Sequence, residues 1–325
     1  MKHLLALVLL LPALALGQAT SDVVLTLDFE NVVGYVLDPA ESPLWMSSAA
    51  KVPEVPSSYI LTLKNYFQLA DLVAVNGKPA KGTGVWWGFW TRFLAPATPT
   101  AKRPIADIVR NTIGEGMIEV HDPEKGQVGT LAVLFLGGAG AAPPGTPPGT
   151  TLGNSAITGG TGIWSGVRGQ AGSVSSSDIR TITAVEDPAY RRVNGGGKWR
   201  IAVTLNSVAL PTVVAAYHGD FSPVSASSPA HPGETLVLAV KGLGPTTPTL
   251  VPGKTFDSEK LAAVTSPVTA MMNDLPAPVS NAVGWPGTND TYRVDVTVPG
   301  VAPGTAGAAL TVAWMQGPEF KIPVK

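Results

Sequence analysis

The feature that most constrains this chain is a two-residue alternation of apolar and polar side chains, repeatedly interrupted by glycine and proline. Over residues 23–30 the apolar Val23, Leu25, Leu27 and Phe29 alternate with Val24, Thr26, Asp28 and Glu30. Residues two apart share one face of a strand, whereas a helix would scatter them around its circumference. Trp199, Ile201, Val203 and Leu205 repeat the pattern against Lys198, Arg200, Ala202 and Thr204. Tyr292, Val294, Val296 and Val298 repeat it again, until Pro299 and Gly300 end the run. Residues 131–136 are apolar on both sides, a pattern expected of a strand covered on both faces. Asn76-Gly77 lies between residues 72–75 and the segment around Val85, where Gly tolerates the positive φ that a tight hairpin turn requires.

Helical patterns are scarce by comparison. Two short stretches qualify, residues 258–264 and residues 104–111. The 325 residues include 36 Gly and 30 Pro, too many chain-bending residues for long helices. The apolar fraction of 45% nevertheless supplies a real core, and the length suggests about two domains. Many short strands joined by Gly/Pro turns read as barrel or sandwich. Residues 137–153, with Ala-Ala-Pro-Pro-Gly-Thr-Pro-Pro-Gly-Thr at their centre, offer no packing face and are expected to form an exposed loop. A second shift in composition, rich in Ser, Pro and Ala, falls at residues 222–233 and marks the entrance to a C-terminal module.

Charge and cysteine content exclude several functions. The absence of Cys rules out disulfide scaffolds, thiolate catalysis and cysteine-based zinc sites. Lys2 and His3, an apolar run at residues 4–11, Pro12 and then Ala15-Leu16-Gly17 have the order of a secretory leader. A membrane anchor needs roughly twenty apolar residues, and Gln18, Thr20, Ser21 and Asp22 cut this run short. The expected mature protein is therefore secreted, periplasmic or held at the cell surface, with no membrane span. Removing Lys2, the only charged residue of 1–17, leaves 21 basic against 23 acidic residues, a net charge of −2. That balance gives no reason to bind nucleic acid.

The segment Ala156-Ile157-Thr158-Gly159-Gly160-Thr161-Gly162-Ile163-Trp164-Ser165-Gly166-Val167-Arg168-Gly169 resembles the glycine-rich hallmark of the allene oxide cyclase and dirigent-like barrels. The resemblance implies a small closed barrel whose interior can take an apolar ligand. In that reading Gly159, Gly160 and Gly162 turn the chain, Trp164 plugs one end, and Arg168 begins the next strand. The sequence departs from the dirigent pattern at Ile163, Trp164 and Ser165, where that family tends to carry an acid. Farther on, Pro232-Gly233-Glu234-Thr235, Gly242-Leu243-Gly244-Pro245-Thr246 and the run from Tyr292 to Pro299 resemble the immunoglobulin-like, IPT/TIG-like domain at the ends of exported acidobacterial proteins. That resemblance implies a sandwich accessory to whatever precedes it. The expected fold is thus all-β: a leader (1–17), an N-terminal antiparallel β-barrel (18–210), a linker (211–231) and a C-terminal immunoglobulin-like β-sandwich (232–325).

Candidate chemistry is sparse. Trp86, Trp87, Phe89, Trp90 and Phe93 crowd into eight residues, and on a strand Trp87, Phe89 and Phe93 take one face while Trp86 and Trp90 take the other. Aromatic surfaces of this kind suit a hydrophobic ligand inside or a sugar ring outside. With Trp164 and Arg168 they form the expected ligand-binding set, for a small apolar ligand or a cell-surface polymer. Glu119, His121, Asp122 and Glu124 have metal-ligand or acid/base character, but Asp122-Pro123-Glu124-Lys125-Gly126 reads as a turn at a solvated hairpin tip. Asp28 and Glu30 are expected to face solvent. His218 and His231 show no partner by spacing and read as structural. No Gly-x-Ser-x-Gly elbow is present, so a serine triad would have to be assembled from distant loops. No catalytic residue, metal or cofactor is expected, and the leading reading is an exported binding or surface-assembly protein. Two alternatives stand beside it: an isomerase-like barrel for a small apolar substrate, lined by Arg168 and the aromatics, and sugar binding through exposed Trp86, Trp90 or Trp164.

Overall fold

A computed structural model describes residues 20–37, 60–94, 110–139, 155–183 and 187–325. The expected leader, residues 104–109 of the helix expected over 104–111 and most of the proline-rich loop, from residue 140, lie outside the described residues, while residues 110 and 111 of that expected helix are strand instead. The chain is all-β. Its N-terminal part contains β1 (Thr20–Leu37), β2 (Ile60–Val75), β3 (Lys78–Leu94), β4 (Arg110–Asp122), β5 (Gly126–Ala139), β6 (Ser155–Gly160), β7 (Arg168–Ser177), β8 (Arg180–Thr183) and β9 (Gly197–Ala209). Antiparallel pairing runs in order from β1 to β7, then to β9 and back to β1, which closes a barrel of eight strands. Closure removes free sheet edges. β8 stands outside that circuit and pairs in parallel with Val33–Val36 of β1, just beyond the point where β9 leaves β1 at Val32.

The alternation in the sequence becomes the inside and outside of this barrel. Leu25, Leu27 and Phe29 of β1 are buried, as are Ile201, Val203 and Leu205 of β9. Asn76 and Gly77, at φ 52° and 71°, make the β2–β3 hairpin turn, with Val75 paired to Lys78. Trp86 points inward through a slot that two glycines leave open. A Cβ on Gly84 would lie 2.3 Å from the indole, and one on Gly116, which pairs with Trp86 across β3 and β4, would lie 2.4 Å from it. Glycine in a strand here marks the close approach of a large ring.

Two expectations fail against this frame. Residues 131–136 are not covered on both faces: Leu131 and Val133 are buried, but Leu134 is 46% exposed. The helix expected over 258–264 is absent: residues 258–260 are bends, and 263–264 form a short strand. There the Asp257 carboxylate accepts the Glu259 N–H, a local turn bond that competes with helix formation. Phe256, Ala262 and Val264 are the buried residues of this stretch, and they do not make a helical stripe.

The C-terminal part contains β10 (Thr212–Tyr217), β11 (Thr235–Lys241), β12 (Thr246–Thr247), β13 (Ala263–Val264), β14 (Val268–Met272), β15 (Leu275–Ala277), β16 (Val279–Gly284), β17 (Thr291–Thr297), β18 (Gly304–Val312), β19 (Met315–Gln316) and β20 (Phe320–Val324). One sheet has the order β10-β11-β17-β16-β13-β12, and the other has the order β15-β14-β18-β19 with β20 also on β18. The sheets bury Leu236, Leu238, Val294 and Val296 from one side and Met272, Ala308 and Leu310 from the other. The first sheet begins at β10, inside the stretch read as a linker. The glycine-rich turn after β6 carries a short 3-10 turn (Gly162–Trp164) that buries Trp164 completely and sets Ile163 against Gly244 of the C-terminal part.

Candidate functional site

The expected ligand set divides between the inside and outside of the barrel. Trp86 is 5% exposed and packs edge-on against Phe29, at 5.5 Å between ring centroids, and against Trp199 at 5.0 Å. The Trp199 indole N–H donates to Ser173 Oγ at 2.9 Å, so its polar edge is satisfied. Trp164 is fully buried, at 0% exposure. These two tryptophans therefore fill the core, and neither can stack on an external sugar, so of the sugar-binding alternative only Trp90, whose side chain lies outside the described residues, is left. Arg168 begins β7, as expected, but it is exposed and its Nη1 donates to the Val167 carbonyl. It lies outside the barrel and is not available as the cationic group of an interior site. Phe89 and Trp90 belong to β3, but their side chains lie outside the described residues.

Trp87 has the opposite placement. It points out of the barrel and is 41% exposed, with Ile113 at 53%, Met117 at 47% and Leu134 at 46% around it. The register explains the grouping: Trp87 pairs with Glu115, Glu115 pairs with Leu134, and Val85 pairs with Met117. Odd-numbered residues of β3 and β4 and even-numbered residues of β5 thus lie side by side on the outer surface. The result is a continuous apolar wall over β3, β4 and β5 with one carboxylate, Glu115, near its centre. Exposed apolar surface that is contiguous, unlike scattered single residues, marks an interaction site.

Across the barrel, β1 and β9 present the same pleat with charged groups. Arg200 bonds Asp28 at 2.5 Å and Lys198 bonds Glu30 at 3.1 Å. These groups line a shallow cleft of about 420 Å³ with Ser175, Ser176 and Ser177. Asp28 and Glu30 face outward, as their alternation in the sequence anticipates. Glu119 and His121 also lie on the outer face, 3.1 Å apart and both well solvated, above the turn in which Asp122 accepts the N–H groups of Glu124 and Lys125. Among the described residues no group of three or more His, Cys, Asp or Glu side chains is placed to hold a metal ion.

Two ionisable clusters had no signal in the local sequence. In the first, Asp71 of β2 accepts from Arg191 at 2.5 Å, from both Nε and Nη2 of Arg192 at 2.9 Å, and from Asn31 at 3.0 Å. Arg191 is 5% exposed and also donates to the Asn31 carbonyl. Burial alone would raise the Asp71 pKa, but the hydrogen bonds from Arg192, Arg191 and Asn31 outweigh it and hold the carboxyl at about 2. This cluster ties the segment before β9 to a β1 bulge, and its work is structural.

The second cluster corrects the expectation that His218 has no partner. Glu234 Oε1 lies 2.6 Å from His218 Nδ1, and Ser228 Oγ lies 3.2 Å from Nε2. The three groups have the order of a serine triad, but their surroundings do not support acyl transfer. Nε2 also faces the Ser228 carbonyl at 3.1 Å. The Glu234 hydrogen bond raises the His218 pKa, and the Ser228 carbonyl beside Nε2 favours a proton on that nitrogen, donated to the carbonyl rather than free to take one from the serine. The Ser228 N–H is taken by Ser225, and Pro229 follows with no N–H, so neither can serve an oxyanion. His218 is a clamp that fixes residues 218–234. Burial raises the Glu234 pKa, but the His218 and His231 contacts override it and lower the carboxyl on balance.

No family model and no curated protein matches the chain. A solved polysaccharide lyase aligns with 82% of this chain and 40% of its own length, at 9% identity and a TM-score of 0.19. The chain thus spans well under half of that enzyme, and a likeness of this degree bears on neither fold nor activity.

Proposed function

We propose that this is an exported, non-catalytic binding or surface-assembly protein whose recognition face is the outer wall formed by β3, β4 and β5. The single observation that carries the reading is the exposure of Trp87, Ile113, Met117 and Leu134 as one surface on a barrel whose described interior is filled. The allene oxide cyclase and dirigent-like resemblance of the glycine-rich turn supports a barrel scaffold in this role, and the immunoglobulin-like resemblance supports an accessory domain behind it. The isomerase-like alternative loses its cation, because Arg168 faces solvent.

The chemistry of the wall selects its partner. Sugar recognition needs several hydrogen-bonding groups beside an aromatic ring, and here Glu115 is surrounded by Trp, Met, Ile and Leu side chains. A second copy docked face to face about this point would bring two Glu115 carboxylates together, which like-charge repulsion opposes. The fitting occupant is a protein surface with apolar side chains around one Lys or Arg. The test is a photo-crosslinking amino acid placed at Leu134, and in a separate variant at Val24 on the opposite wall, each in cells that produce the protein. A discrete adduct from position 134 alone, lost when Met117→Lys is added, is the expected result. Equal adducts from both positions, or none from position 134, would refute the assignment.

A further inference from the structure

The sandwich carries a second surface, of a different chemical type, on the outer face of its six-stranded sheet. Tyr217 ends β10, Phe221 lies in the loop that follows, Trp285 begins the turn after β16, and Arg293 is in β17. The Tyr217 and Trp285 rings are 6.1 Å apart and inclined at 58°, and Phe221 and Trp285 are 6.1 Å apart at 74°. The Arg293 guanidinium stands 5.4 Å from the centre of the Phe221 ring. Phe221 is nevertheless 50% exposed. Its backbone is left-handed, with φ at 65°, a region that bulky residues rarely occupy. The loop holds it there through His218 N–H to the Ser222 carbonyl, Phe221 N–H to the His218 carbonyl, and Ser222 N–H to Asp220. A backbone constrained in this way to present a half-exposed ring suggests a use for that ring.

The polar atoms around the rings narrow the ligand. Arg293 donates Nε and Nη2 to Asp295 at 2.7 and 3.0 Å, and Asn281 donates to the same carboxylate at 3.3 Å. Arg293 is thereby paired, so it does not stand as a free cation towards a charged ligand. Among the described residues, Arg293 Nη1, the Trp285 indole N–H and the Tyr217 hydroxyl have no hydrogen-bond partner. Aromatic faces flanked by free donors, with the one cation among them already paired, match a sugar, which presents C–H groups on its faces and hydroxyls at its rim. The inclination of the rings adds a second constraint: a flat, rigid surface cannot lie against all three, whereas a single chain can turn from one to the next.

We infer that Tyr217, Phe221, Trp285 and Arg293 form a binding platform for a soluble, neutral polysaccharide chain. This site is separate from the barrel wall and does not depend on it. The test is affinity electrophoresis of the full chain through gels containing soluble neutral glucans (laminarin, dextran and hydroxyethylcellulose), with a pull-down on microcrystalline cellulose alongside. At least one soluble glucan should retard the protein. Phe221→Asn, which tolerates the left-handed backbone, should weaken the retardation at least tenfold, as should Trp285→Ala. Trp87→Ala on the barrel should leave it unchanged. If Trp285→Ala unfolds by circular dichroism, the exposed Phe221 position decides alone. No retardation by any of the three glucans, retardation that survives Phe221→Asn, or binding to crystalline cellulose only would overturn the inference.

Discussion

The two outer walls of the barrel are made by the same pleat, yet they are opposite in chemistry. On the β1 and β9 side, outward positions hold Asp28, Glu30, Lys198 and Arg200 in cross-strand ion pairs. On the β3, β4 and β5 side, the equivalent positions hold Trp87, Ile113, Met117 and Leu134. Both walls rest on one packed interior, so packing cannot account for the difference. A barrel that only had to be soluble would carry charges all around, and one that crossed a bilayer by its strands would need an apolar band around its whole girth. An apolar face set opposite a charged one is what a docking scaffold requires.

Substitutions at the shared interior should have the largest effect and should damage both walls together. Trp86→Ala empties the slot between Gly84 and Gly116 and should cost about 3–5 kcal/mol, seen as a lower chemical-denaturation midpoint; a loss below about 1 kcal/mol would mean that the ring is not a core element. Asp71→Asn should come next. It removes the carboxylate that compensates the buried Arg191 and should cost about 2–3 kcal/mol at neutral pH. The Asp71 pKa is held below its ordinary value, so its stabilisation is complete above pH 3.8 and fades as pH falls towards about 2. The wild type should therefore lose its advantage over Asp71→Asn across that interval, and a difference independent of pH would contradict the ion cluster. The smallest effects on stability should separate the walls. Arg200→Ala breaks an exposed, solvent-screened pair and should leave the denaturation midpoint nearly unchanged, with binding intact. Met117→Lys should change stability by no more than about 0.5 kcal/mol and abolish the Leu134 crosslink. The opposite pattern of binding would exchange the roles assigned to the two walls.

Much of the barrel was legible because its signals are local. The alternation of Val23 to Glu30 and of Trp199 to Leu205 fixes inward and outward faces within each strand, and Asn76-Gly77 names its own turn. The burial of Trp164 and the start of a strand at Arg168 also agree with the glycine-rich turn. The apolar wall was less legible because it exists only across strands. Nothing local says that Trp87 and Leu134 will flank Glu115 on one face, which only the register across three strands fixes. The apolar run around Leu134 pointed the wrong way, since a strand apolar on both sides reads as doubly covered unless its outer face is reserved for a partner. One trace was available in the sequence: Gly84 and Gly116, each lying in a strand, mark where Trp86 goes and so which way Trp87 must face. The Asp71 and His218 clusters join residues 120 and 16 positions apart, respectively, and only the assembled fold brings them together.

The most direct test of the wall assignment is carbene footprinting of the protein in intact producing cells against the purified chain. The account predicts strong protection of Trp87, Met117 and Leu134 in cells while Val24, Asp28 and Glu30 label equally in both samples. Equal labelling of the apolar wall in cells and in isolation, or protection centred on Asp28 and Glu30, would contradict it.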